Sequence, residues 1–183
     1  MIEEMQSQAE KNIAVVRGFY DALAGGEEDG ELSEEDLARV VDTFKNEKTI
    51  ELNLGEPYGG VYVGPAEIAV GRHRLHELCG YTAADHASFR YYASGPTRVV
   101  VEAINNGADL AGHPWSMTVV ELVDVVDGKI SRKRTFFENP ALLTRIMLER
   151  EADLKNRLAE QYWRENNPLR ALHDLEAQVK PGP

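Results

Sequence analysis

The chain is 183 residues long, 43% apolar and 28% charged, with a net charge of −11. That length is enough for one domain with a sizeable core, and the acidic balance argues against nucleic acid and anionic membranes as partners. Its single cysteine, Cys79, rules out an intrachain disulfide and fits a reducing cytoplasm.

The acidic start, MIEEMQSQAEKN, lacks the apolar stretch of a signal peptide, and no run approaches the roughly 18 apolar residues of a membrane span. From Asn12 to Leu23, the residues Ile13, Val16, Phe19, Tyr20 and Leu23 recur at helical spacing, which predicts a helix stopped by Gly25-Gly26. Ser33-Glu34-Glu35-Asp36 reads as the capped, acidic first turn of a second helix, with Leu37, Val40, Val41 and Phe44 as its stripe. Thr49 to Leu54 alternates as a strand, placing Ile50, Leu52 and Leu54 on one face and Glu51 and Asn53 on the other. GEPYGGVYVG follows as a glycine-rich loop, and Pro65 opens a third helix that runs to about Leu78.

Beyond Ala87 the pattern turns to strands. ASFRYYAS and TRVVVEAIN are separated by the turn pair Gly95-Pro96, and NNGADLAGHP reads as a loop. Trp115 to Glu138 then forms two long strands joined at Asp127-Gly128, a strong hairpin signal because both residues tolerate positive φ. Asn139-Pro140 caps a long helix with Leu142, Leu143, Ile146, Met147, Leu154, Leu158 and Tyr162 on one face. Asn166-Asn167-Pro168 breaks it before a short amphipathic helix, Leu169 to Val179. Runs of helices and strands without βαβ alternation predict an α+β fold, a curved, largely antiparallel sheet wrapped around N-terminal helices with an internal pocket. The expected organisation is a cone-shaped domain over residues 1–140 and a C-terminal helical extension over 141–183.

The first hairpin strand carries the sharpest functional clue. Trp115, Met117, Val119, Glu121, Val123 and Val125 share one face, and only Glu121 among them is charged. A carboxylate on a buried face needs a partner or a purpose. Glu121 is therefore a candidate general acid or base, and an ion pair with Arg132 or Arg134 on the next strand is the structural alternative. Ser131, Lys133, Thr135 and Phe137 share the next strand's inward face. Thr135 is placed to orient a ligand oxygen, and Lys133 to lie at the rim with its head in water. On the third helix, Arg72 and His76 lie four apart at the edge of the buried stripe, where His76 is a candidate proton carrier. His73 and His76 have no third ligand at motif spacing, so no metal site is predicted. Tyr20, Tyr58 and Tyr91, with Trp115, Met117 and Phe137, are candidate walls for a flat apolar ligand.

The order of FYDALAGGE, the strand before a glycine-rich loop ending VGPAEI, and WSMTVVELVDVVDGKI with RTFFE resembles the nuclear transport factor 2-like superfamily. That group includes SnoaL-like polyketide cyclases, ketosteroid isomerase and limonene epoxide hydrolase. The resemblance spans roughly residues 12–140 and implies the cone fold, cofactor-free acid–base chemistry, a small apolar or polyketide-like ligand and a homodimer. It places the isomerase's catalytic base at Leu52, its tyrosine at Phe19 and its second acid at Glu121. The hydrolase's water-activating aspartate falls on Thr135. Two expected polar positions are thus apolar here. The expectation is a cyclase or isomerase of specialised metabolism that uses Glu121, His76 and Thr135. The alternatives are a non-catalytic binding or shape-templating protein, and an epoxide hydrolase or dehydratase.

Overall fold

The computed structural model describes residues 2–24, 42–64, 67, 75, 78–84 and 88–166. The helices expected from Ser33 and over 169–179 fall outside these residues, as does most of the one expected from Pro65. Helix α1 spans Ile2–Ala24. Its buried residues Val16, Phe19 and Tyr20 recur three and four apart, while Lys11, Arg17 and Asp21 on the other side are exposed. Asn12 is also buried. Its side-chain nitrogen donates to the Pro96 carbonyl at 2.9 Å and its oxygen accepts from Gln8 at 2.9 Å, so the polar group is fully engaged.

Seven strands form one sheet: β1 Phe44–Asn53, β2 Gly60–Val63, β3 Tyr81–Ala84, β4 Arg90–Ser94, β5 Arg98–Ala108, β6 Pro114–Val126 and β7 Lys129–Phe137. Their order is β2-β1-β7-β6-β5-β3, and β4 also pairs with β5. Every pairing is antiparallel except β1 with β7, so the sheet is mixed. Helix α2, Pro140–Asn166, follows the last strand. The Asn139 side chain accepts from the Leu142 N–H at 3.0 Å, which caps the helix start, and Pro140 fits the position where no donor is needed.

Several local expectations change. Phe44 opens β1 instead of closing a helix; it is 6% exposed and packs edge-on against Phe19 at 5.0 Å. The stretch read as a glycine-rich loop contains β2, and Tyr81–Ala84 forms β3, which no alternation announced. Asn105-Asn106-Gly107 is strand, paired with both β3 and β6. Gly107 has a packing reason to be there, because a Cβ would lie 2.3 Å from the Trp115 ring and 2.5 Å from the Gly80 carbonyl.

The β6–β7 hairpin turns at Asp127 and Gly128, with φ of 52° and 73°, which suits the right-handed twist of the strands. Just past the turn the register shifts by one. Val125 pairs with Ile130, but Asp124 pairs with Arg132, so Ser131 is an extra residue. Its hydroxyl donates to the Asp124 carbonyl at 3.1 Å. Directly paired antiparallel residues share a face. The inner face of β7 therefore runs Ile130, Lys133, Thr135, Phe137, while Arg132 and Arg134 belong to the outer face.

The inner face divides into two apolar clusters. One joins α1 to the sheet through Val16, Phe19, Tyr20, Phe44, Val99, Val101, Val123 and Ile130. The other joins α2 to it through Leu143, Ile146 and Met147, packed on Trp115, Met117, Val119 and Phe137, with Tyr58 alongside. Between them lies a short polar band.

Candidate functional site

The polar band is Glu121, Lys133 and Thr135. Strand β6 runs through both clusters, and Glu121 falls between Val119 of one and Val123 of the other. Glu121 pairs directly with Thr135 on β7, and Thr135 pairs with Leu52 on β1. All three are buried: Glu121 is 8%, Thr135 4% and Leu52 6% exposed. The Lys133 ammonium lies 2.8 Å from Glu121 Oε1. The Thr135 hydroxyl donates to the same oxygen at 3.1 Å. Lys133 Nζ also faces the Phe19 and Tyr20 rings, at 5.5 and 5.3 Å from their centroids, where ring electrons partly replace lost water.

This arrangement overturns two expectations about Glu121's neighbourhood. Its partner is neither Arg132 nor Arg134, and Lys133 does not hold its head in water at a rim. Lys133 keeps the inward face expected of it, and the carboxylate and the two rings draw its head in, while Arg132 and Arg134 face the other way. Arg132 instead pairs with Glu51 at 3.0 Å on the outer face, where Asp124 also binds Arg98 at 2.6 Å. Asn53 is exposed.

The carboxylate of the buried pair is under-bonded. Glu121 Oε1 takes two partners, while Oε2 is buried with none among the described residues. The Tyr20 hydroxyl is likewise buried and without a partner among them. Orphaned buried polar atoms cost about 1–3 kcal/mol each; Arg134 Nε and Arg150 Nε, away from the Glu121 carboxylate, are orphaned among the described residues too. An acceptor and a cation thus lie together near apolar Leu52, Phe19 and Val123, with the Tyr20 ring facing the cation.

Tyr91 extends the aromatic wall. Its ring lies 6.3 Å from that of Tyr20 and 6.3 Å from Phe89, with the Arg17 guanidinium 5.2 Å above it. Burial pushes its phenol up to about 12, helped by Asp21 and opposed by Arg17. Tyr91 therefore stays a neutral donor at any physiological pH. Because its folded value lies above the unfolded one near 10, the stability it contributes is complete below that point and is lost as pH rises through about 12. Tyr91→Phe is expected to flatten the fall in melting temperature over that alkaline window, and a thermal melt series compared with wild type checks it.

The remaining candidates separate. Trp115, Met117, Phe137 and Tyr58 belong to the cluster beneath α2, and the Tyr58 hydroxyl donates to Glu151 of that helix. Arg72 and His76 lie outside the described residues. Lys133 is the residue whose part sequence reasoning missed. Its alternation with Thr135 and Phe137 was the available signal, and the packing of its head was not. No group of three or more His, Cys, Asp or Glu among the described residues is arranged to hold a metal ion. No helix among them is long and apolar enough to cross a membrane. Two open grooves, one between α1 and the Asp127-Gly128 turn and one between Leu54 and α2, are lined by neither Glu121 nor Lys133.

No protein-family model and no curated protein matches the chain. Solved structures do. An NTF2-like protein from Burkholderia xenovorans LB400 superposes with a TM-score of 0.59 at 16% identity, over 75% of this chain and 96% of that one. A candidate polyketide cyclase from Xanthomonas campestris pv. campestris gives 0.57 at 18% identity, over 76% and 98%. TerC, co-crystallised with polyporic acid, gives 0.57 at 20% identity, over 74% and 98%.

Proposed function

The chain has the NTF2-like fold, and from that premise we propose that it is a cofactor-free cyclase or isomerase acting on a small polyketide-like carbonyl compound. The observation that carries this reading is the bare Oε2 of Glu121, buried beside the Lys133 ammonium. Glu121 takes a proton through Oε2 from the carbon next to a carbonyl. Lys133 and the Tyr20 hydroxyl stabilise the enolate oxygen that forms. Thr135 holds the carboxylate in place. In a cyclisation the enolate carbon attacks a second carbonyl of the same chain, and the new alkoxide takes back the proton, so the carboxylate is regenerated. Phe19, Tyr20, Leu52 and Tyr91 supply the apolar walls that hold the chain folded. The likeness to a candidate polyketide cyclase, and to a protein solved with polyporic acid, supports this substrate class. Placement in specialised metabolism, a cytoplasmic setting and a homodimer belong to the same proposal.

A ligand-soaked crystal structure tests it. With polyporic acid as the probe, a ligand oxygen or acidic carbon is expected within hydrogen-bond reach of Glu121 Oε2. A ligand seated away from Glu121, Lys133 and Tyr20 overturns the assignment.

A non-catalytic, shape-templating role is the second reading. The apolar residues Leu52 and Phe19, where the isomerase relatives carry catalytic groups, favour it. Under that reading the apolar walls matter more than the carboxylate.

A further inference from the structure

We infer that Lys133 is a nucleophile and forms an imine with the carbonyl group of a ketone or aldehyde bound on the inner face. This rests on the proposed function's reading that the site takes a carbonyl compound, and it replaces the ammonium's contact to the enolate oxygen with a covalent bond from Lys133 to the carbonyl carbon. Three observations lead to it. The amine is buried, with its side chain 13% exposed, on the inner face and not on the surface where most lysines sit. An ammonium carries three donors, and among the described residues Lys133 makes one contact with an acceptor, Glu121 Oε1 at 2.8 Å. The two aromatic rings at 5.3 and 5.5 Å supply a flat apolar surface beside the nitrogen.

The chemistry balances within the band. A proton passes from Lys133 Nζ to Glu121 across the 2.8 Å contact. The freed nitrogen lone pair attacks the carbonyl carbon, and the C–N bond forms. The carbonyl oxygen takes the proton from the Glu121 carboxyl to give a carbinolamine. A second proton transfer through the same carboxyl, from nitrogen to that hydroxyl, expels water and leaves the imine in its protonated form, with Glu121 again a carboxylate. No oxidant or reductant enters. The imine nitrogen, once protonated, withdraws electrons from the neighbouring carbon more strongly than the parent carbonyl does, which makes proton loss there easier. The Tyr20 hydroxyl is available to bond the departing oxygen.

Pentane-2,4-dione is a direct probe, because its imine rearranges to a conjugated enaminone that absorbs in the near ultraviolet. With the full chain at neutral pH, one adduct is expected, with the mass of the diketone less water, mapped by peptide mass analysis to Lys133. Glu121→Gln is expected to slow labelling by about a hundredfold, and Lys133→Arg to abolish the absorbance. Label confined to exposed amines such as Lys129 and Lys155, or an unchanged signal in Lys133→Arg, overturns the proposal. If the arginine variant fails to fold, the wild-type peptide map decides alone. Labelling reads the amine, and turnover of Glu121→Gln reads the carboxylate. A labelled Lys133 with unchanged Gln turnover would therefore remove Glu121 as the base and leave the reactive amine standing.

Discussion

Glu121→Gln is expected to lower turnover on a polyketide-like carbonyl substrate by about two orders of magnitude or more, with the fold retained. The amide has the same shape as the carboxylate, and its oxygen can still accept the Thr135 hydroxyl that now lies 3.1 Å away. It cannot accept a proton from carbon. It also leaves Lys133 without the counter-charge 2.8 Å from it. The loss should appear in kcat rather than KM, because the carboxylate acts on the proton in flight and the walls that hold the substrate are untouched. Circular dichroism and a thermal melt establish that the variant is folded at the assay temperature. Turnover equal to wild type would remove Glu121 from the mechanism and favour the templating role.

Lys133→Met is expected to destabilise the protein by about 3–5 kcal/mol, because it strands a buried carboxylate. Methionine fills the aliphatic stem and keeps contact with Phe19 and Tyr20, so the change isolates the charge. The second arm is the double variant Glu121→Leu with Lys133→Met, which removes both charges and is expected to fall within about 1 kcal/mol of wild type. Urea unfolding at neutral pH, read as a double-mutant cycle, gives the coupling. A single variant as stable as wild type would mean that the pair is not held in the low-dielectric interior. The expected pattern carries a further meaning. If an apolar replacement is as stable as the ion pair, stability is not what keeps Glu121 and Lys133 inside the sheet, and the chemistry proposed for them is.

Strongly periodic segments made much of the fold legible in the sequence. Long strands β5, β6 and β7, helix α1, the cap at Asn139 and the turn at Asp127-Gly128 each combine alternation or helical spacing with a stop signal. Glu121 was visible for the same reason, since a six-position face with one charge stands out. Other elements carried no such signal. Strand β2 is four residues at a sheet edge within a glycine-rich stretch, and all but one of its side chains are exposed, so no apolar face announces it. Strand β3, Tyr81–Ala84, is equally short. Gly107 looked like turn chemistry because the Trp115 ring that occupies its missing side-chain space is a tertiary fact. The partner of Glu121 was misread for a related reason. The inward face of Lys133, Thr135 and Phe137 was legible, but which cation on it or beside it meets Glu121 depends on the cross-strand pairing with β6.

That extra residue decides what the interior is made of. Flatten the bulge while keeping every residue, and the strand regains even alternation from Ile130 with everything beyond Ser131 turned over. Arg132, Arg134 and Phe136 then keep their places in the order of the chain but exchange sides with Lys133, Thr135 and Phe137. Two arginines would sit against a lone carboxylate, and the amine and hydroxyl would face outward. The chemical character of this interior is thus set by one residue looped out of the ladder. Deletion of Ser131 leaves the amine and the hydroxyl inside, whereas a strand that took Ser131 into the ladder would turn both outward.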